Sequence, residues 1–187
     1  MDIEPHLQAL CANATIYGAS KVSPIPISYV VVDPRVNFKC QVPLCQNYGR
    51  SHVCPPFVMA SEKFSTVLAR YKFAILVQVA QPALEEGADR EKLAREQITK
   101  LNDAVAKLER DAMYMGYRFA AGLGGGPCPY CEKCNAPDGG DCRHPFKARP
   151  SMEALGIDVV QTAENAGMHI DLPPKDTYVW TGMLLLD

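Results

Sequence analysis

The longest periodic stretch runs from about Asp89 to Met115, where Ala94, Ile98, Leu101, Val105, Leu108, Ala112 and Met115 recur at alternating steps of four and three. That period predicts one long helix with a single apolar stripe. Its other face carries Glu91 and Arg95, Glu96 and Lys100, and Asp103 and Lys107 in the favourable i,i+4 order. The seam ends inside a globular sequence, so it predicts a helix lying on a sheet rather than a coiled coil. Phe73 to Ala80 is an almost unbroken apolar run ending near Pro82, as a mid-sheet strand covered on both faces requires.

Weaker signals complete the layout. His6 to Ala14 has helical spacing, with Cys11 among Leu7, Leu10 and Ala14 and read as a small buried hydrophobe. Ile27 to Val32, closed by Asp33-Pro34, predicts a strand, and Ser61 is a plausible N-cap for a helix reaching about Arg70. Gly116 should stop the long helix, with a strand following from Tyr117 to Gly122. Beyond the middle of the chain come a helical turn capped by Ser151 and ended at Gly156, a short helix from Asp158 to Ala166 stopped by Gly167, and a last strand over about Tyr178 to Leu186. Strands alternating with helices predict an α/β fold: one compact domain over residues 1–187, with a sheet of roughly four or five strands flanked by helices.

Composition narrows the function classes. A formal charge of -2 and a pI near 6.1 provide no general attraction to nucleic acid or anionic membrane, and no basic stripe with interleaved aromatics occurs. Met1 to Leu10 lacks the apolar core of a secretory signal, and no run is long enough to span a bilayer. The chain therefore reads as cytoplasmic. In that reducing compartment eight cysteines point to metal binding or redox chemistry rather than disulfides.

Seven of the eight lie in two loops, at about residues 38–57 and 122–150. In the second, Cys128, Cys131 and Cys134 are spaced C-x2-C-x2-C and Cys142 follows, so one tight loop can aim several sulfurs at a common centre. Cubane iron–sulfur clusters take their thiolates in such runs. Zinc is the alternative, although zinc ribbons usually split their knuckles across a longer insert. Gly122, Gly124, Gly125 and Gly126 would let backbone N–H groups approach cluster sulfurs, and Arg143, His144, Lys147 and Arg149 would offset cluster charge. The first loop holds Cys40, Cys45 and Cys54, and Pro43, Gly49, Pro55 and Pro56 exclude a regular helix through it. Three thiolates there suit a second [4Fe-4S] cluster with one iron left for another ligand, or zinc with His52; Cys11 or His52 would close the cluster.

Asp33-Pro34-Arg35, Cys40-x4-Cys45-x2-Tyr48-Gly49, Cys54-Pro55-Pro56, the second cysteine run through Cys142-Arg143-His144-Pro145, Ala148-Arg149-Pro150-Ser151-Met152-Glu153-Ala154 and Gly156-Ile157-Asp158-Val159 stand together. In that combination the chain resembles the family of predicted metal-binding proteins of unknown function common in anaerobic bacteria and archaea. The resemblance covers nearly the whole chain and takes in every cysteine but Cys11. It implies metal binding, as iron–sulfur clusters in an oxygen-poor cytoplasm, and no particular reaction.

Three functional classes follow. The first is an electron carrier with a redox protein as partner. The second is an enzyme that reduces or activates a small molecule at an open iron held by Cys40, Cys45 and Cys54, with Tyr48, Arg50 and His52 nearest for proton transfer or binding. The third is a zinc-stabilised interaction protein. Neither a C-x3-C-x2-C run nor a G-x-G-x-x-G turn is present to suggest radical or dinucleotide chemistry.

Overall fold

The computed structural model describes residues 3–81, 89–174 and 177–187. Its centre is a four-stranded sheet in the order β1-β2-β4-β3, made of β1 (Lys21–Pro26), β2 (Phe73–Gln81), β3 (Ala121–Leu123) and β4 (Tyr178–Leu186). Every pairing is antiparallel. The helices are α1 (Ile3–Ile16), α2 (Pro34–Lys39), α3 (Ser61–Leu68), α4 (Arg90–Tyr114) and α5 (Val159–Asn165). The α/β class holds.

Alternation along β2 builds both halves of the core. Ile75, Val77 and Val79 face α1 and α4, where Leu7, Leu10, Leu101, Val105 and Leu108 meet them. Ala74 and Leu76 face the other way, onto Phe64, Leu68, Met152, Leu155, Ile157 and Met183. Each fully buried leucine or isoleucine contributes about 1.5–3 kcal/mol, so the continuous apolar run of β2 anchors both layers.

The long helix matches its periodic signal. Asp89 caps it by accepting from the N–H of Lys92 at 3.0 Å. Gly116 ends it at φ +98°, where the N–H of Tyr117 reaches back to the carbonyl of Ala112. Pro82, the expected end of β2, lies outside the described residues.

Three expectations need correction. The first strand occupies Lys21–Pro26, and Ile27–Tyr29, within the expected strand, forms a 3-10 turn. Pro24 and Pro26 lack ladder donors, but β1 is an edge strand and tolerates them. The third strand is only Ala121–Leu123, because Tyr117 is buried against the α1/α4 layer and Ala120 bonds back to its carbonyl. Ser61 is the first residue of α3, with Ala60 at the cap and no side-chain capping bond. An antiparallel sheet has no common carboxyl edge at which ligands could gather as they do in parallel sheets, so the sheet alone does not locate the cysteine loop.

Candidate metal centre

What locates the second cysteine loop is a closure at its base and a helix along its side. The N–H of Gly124 donates to the carbonyl of Pro150 at 2.8 Å and that of Met152 to the carbonyl of Gly124 at 3.0 Å, so a Gly124–Ser151 bridge stitches both ends of the loop together just past β3. From α4, Arg95 Nε donates to the carbonyl of Pro129 at 3.0 Å, and Asp103 accepts from the hydroxyl of Tyr130 at 2.9 Å. Glu109 receives Arg149 at 2.9 and 2.7 Å and the N–H of Gly122 at 2.5 Å. Two side chains expected to pair along the helix, Arg95 and Asp103, are thus used to hold the loop.

Two of the glycines, Gly124 and Gly125, serve that mounting. A Cβ on Gly124 would lie 1.7 Å from Asn102 Oδ1, and one on Gly125 would lie 2.4 Å from the carbonyl oxygen of Thr181. They let the chain pass tightly between α4 and β4. Arg149 is likewise committed to Glu109, at 17% and 18% side-chain exposure, whereas Arg143 and His144 do line the cysteine pocket.

Cys128, Cys131, Cys134 and Cys142 surround one pocket of about 80 Å³, together with Ser51 and His52 from the first loop. Burial pushes the Cys128 thiol up, and the charges of Cys131, Cys142 and Cys134 add to the rise. Burial also acts against Cys134, but N–H groups of Ala136, His52 and Asn135 and the hydroxyl of Ser51 outweigh it and draw that thiol below its ordinary range. The N–H of His144 approaches Cys142 Sγ at 3.4 Å.

Cys40, Cys45 and Cys54 line a second pocket, of about 190 Å³, with Tyr48, Gly126, Ser151 and Glu153. Asp33 caps α2 by accepting from the N–H of Arg35, and Cys40 terminates that helix. The N–H of Cys45 returns to the carbonyl of Cys40 at 3.0 Å, so the intervening turn folds the two cysteines together. Burial and then the charges of Cys45 and Cys40 push Cys54 up to about 11, with Ser51 acting the other way. Cys40 is raised by burial, by Cys45 and by Glu153. Like charges gathered in this way repel one another unless a cation offsets them, so both donor sets fit a soft, thiolate-bound metal group. Among the described residues, no three Cys, His, Asp or Glu side chains converge tightly enough to hold a single ion as they stand. The sulfurs ring their pockets instead.

Neither expected fourth ligand belongs to the three-cysteine pocket. Cys11 packs with the α1/α4 layer across the sheet. His52 sits at the four-cysteine pocket, with Nε2 2.8 Å from the carbonyl of Gly140, and so ties one loop to the other. Of the proposed polar neighbours, Tyr48 lines the three-cysteine pocket, while Arg50 joins His52 at the other. Sequence reasoning overlooked Glu153 as a site residue, although it lies inside a quoted motif.

A family model described as predicted metal-binding protein (DUF2284) matches residues 23–186, a span that includes both loops and excludes Cys11. The chain belongs to this family. Its two thiol-lined pockets agree with the family's description, which names no metal. No curated protein and no solved structure matches the chain. No helix among the described residues is long and apolar enough to cross a membrane.

Proposed function

We propose that this protein is an iron–sulfur electron carrier of a reducing cytoplasm, with one [4Fe-4S] cluster at Cys128, Cys131, Cys134 and Cys142 and a second at Cys40, Cys45 and Cys54. The observation that carries the reading is the adjacency of two thiol-lined pockets: Asn47 lines both, and the charge of Cys128 acts on Cys54. When bound, such clusters supply reversible one-electron chemistry. The chain's own part is to fix sulfur positions from α2, α4 and the Gly124–Ser151 bridge, and to tune charge through N–H and hydroxyl donors.

Scale supports clusters over zinc. A single zinc ion draws sulfurs to about 2.3 Å from one centre. A cubane instead gives each thiolate its own iron, which suits sulfurs that ring a pocket. Purification without oxygen, with iron, sulfide and zinc analysis and paramagnetic spectra after reduction, tests the reading. About eight irons per chain are expected for two cubanes; stoichiometric zinc with no sulfide would overturn it.

One observation favours a second reading, an enzyme working at the three-cysteine centre. A cleft of about 430 Å³ lined by Phe38, Tyr48, Pro55, Met59 and Ala154 shares Tyr48, Pro55 and Ala154 with that pocket, room for a small molecule beside the metal. Spectral change at this centre alone on adding a small substrate, followed by turnover with a chemical reductant, would select the enzyme.

A further inference from the structure

We propose that the carboxylate of Glu153 is the fourth protein ligand of the metal centre held by Cys40, Cys45 and Cys54, giving it one oxygen donor beside three sulfurs. This rests on the reading that those three cysteines hold a metal.

Glu153 lines the same pocket as the three thiols, and its negative charge acts on Cys40. Its Oε2 is shut off from solvent and has no hydrogen-bond partner. The Ser151 hydroxyl and the N–H of Glu153 itself exert a pull on the carboxyl, yet neither bonds to Oε2. A buried carboxylate oxygen without a partner is costly, and such groups persist where they are paired or coordinate a metal.

The backbone holds this side chain in place. Glu153 starts a 3-10 turn ended by Gly156 at φ +86°. The carbonyls of Glu153 and Ala154 accept from Asn37 Nδ2 at 3.3 and 2.9 Å. Asn37 belongs to α2, whose cap is Cys40, so the thiol and the carboxylate are braced by one contact. A carboxylate is a harder ligand than a thiolate. The iron it holds is then the one most readily exchanged or exposed to an incoming molecule.

The test compares the full chain with Glu153→Gln and Glu153→Cys, reconstituted without oxygen from ferric iron, sulfide and excess dithiothreitol, which supplies the electrons that bring half the iron to the ferrous state. The readouts are iron and sulfide content, paramagnetic spectra and the melting midpoint of the metal-free protein. The native chain should hold about eight irons and Glu153→Gln about one to four fewer, all from the three-cysteine centre, with Glu153→Cys restoring the full count under a changed spectrum. Metal-free Glu153→Gln should melt no lower than the metal-free native chain, because Oε2 makes no hydrogen bond that the substitution could remove. Unchanged iron and spectra in Glu153→Gln would overturn the inference alone. So would a lower metal-free midpoint with no restoration by Glu153→Cys, the mark of a purely structural acid. A native chain with only about four irons, all lost on Cys131→Ser, would overturn the two-cluster reading and this inference with it.

Discussion

Cys54, near the end of the first loop, stands close enough to Cys128 in the second for the charge of one thiolate to raise the other. Between the two sets lies the buried Ser51, whose hydroxyl acts on Cys54 of one and Cys134 of the other. A hydroxyl donating to a thiolate favours the more negative, reduced state of a bound cluster. Ser51→Ala should therefore lower the reduction potential of the centre that its single proton faces, or of both by less where the proton is shared, without loss of iron. About 1 kcal/mol of lost hydrogen bonding corresponds to roughly 40 mV on a one-electron couple. Redox titration of both signals checks it; a shift at one centre only would show that the hydroxyl serves that centre alone.

The thiols should differ in reactivity when no metal is bound. Cys134 is drawn below the ordinary thiol range and Cys54 is pushed up to about 11. At a pH of about 8, iodoacetamide should modify Cys134 well before Cys54, read by mass spectrometry of peptides, because the thiolate is the nucleophile. The sign for stability follows. Between the ordinary thiol pKa of 9.0 and about 11, the unfolded chain has released the Cys54 proton and the folded chain has not. Cys54 therefore makes the metal-free fold lose stability as pH rises through that window, which denaturant titrations at several pH values would detect.

Glu109 joins α4, β3 and the far end of the cysteine loop through Arg149 and the N–H of Gly122. Glu109→Ala leaves a largely buried guanidinium and a backbone donor unpaired. It should cost about 3 kcal/mol by urea unfolding. Glu109→Gln keeps one acceptor and should cost less.

Gly125→Ala should be among the most damaging single-methyl additions in the chain. Its Cβ would meet backbone, the carbonyl oxygen of Thr181 at 2.4 Å, which cannot swing aside as a flexible side chain can. A loss of about 1–3 kcal/mol or more is expected, with β4 and the cysteine loop pushed apart. Reduced metal uptake by the folded variant would show that loop placement depends on this contact.

Much of the frame was legible because its causes are local. The stripe of α4, the apolar run of β2 and the caps Asp89 and Asp158 are written in neighbouring residues, and each element formed where its pattern stood. So too was the C-x2-C-x2-C spacing, which confines Cys128, Cys131 and Cys134 to one pocket whatever the rest of the chain does. The edge strand was misjudged because Pro24 and Pro26 argue against a strand until it is known that β1 pairs on one side only.

Only tertiary structure decided which cysteines and acids share a space. Cys11 and Cys40 lie 29 positions apart with nothing in either neighbourhood to say that the sheet would stand between them, yet one joins the α1/α4 core and the other a thiol pocket. Glu153 reads along the chain as an ordinary helix-turn acid. It becomes a pocket residue through the Gly124–Ser151 bridge and the grip of Asn37, contacts between residues 27 and 116 positions apart. Local propensity cannot record such pairings, because the free energy that favours them comes from burying surfaces that meet only when the sheet has formed.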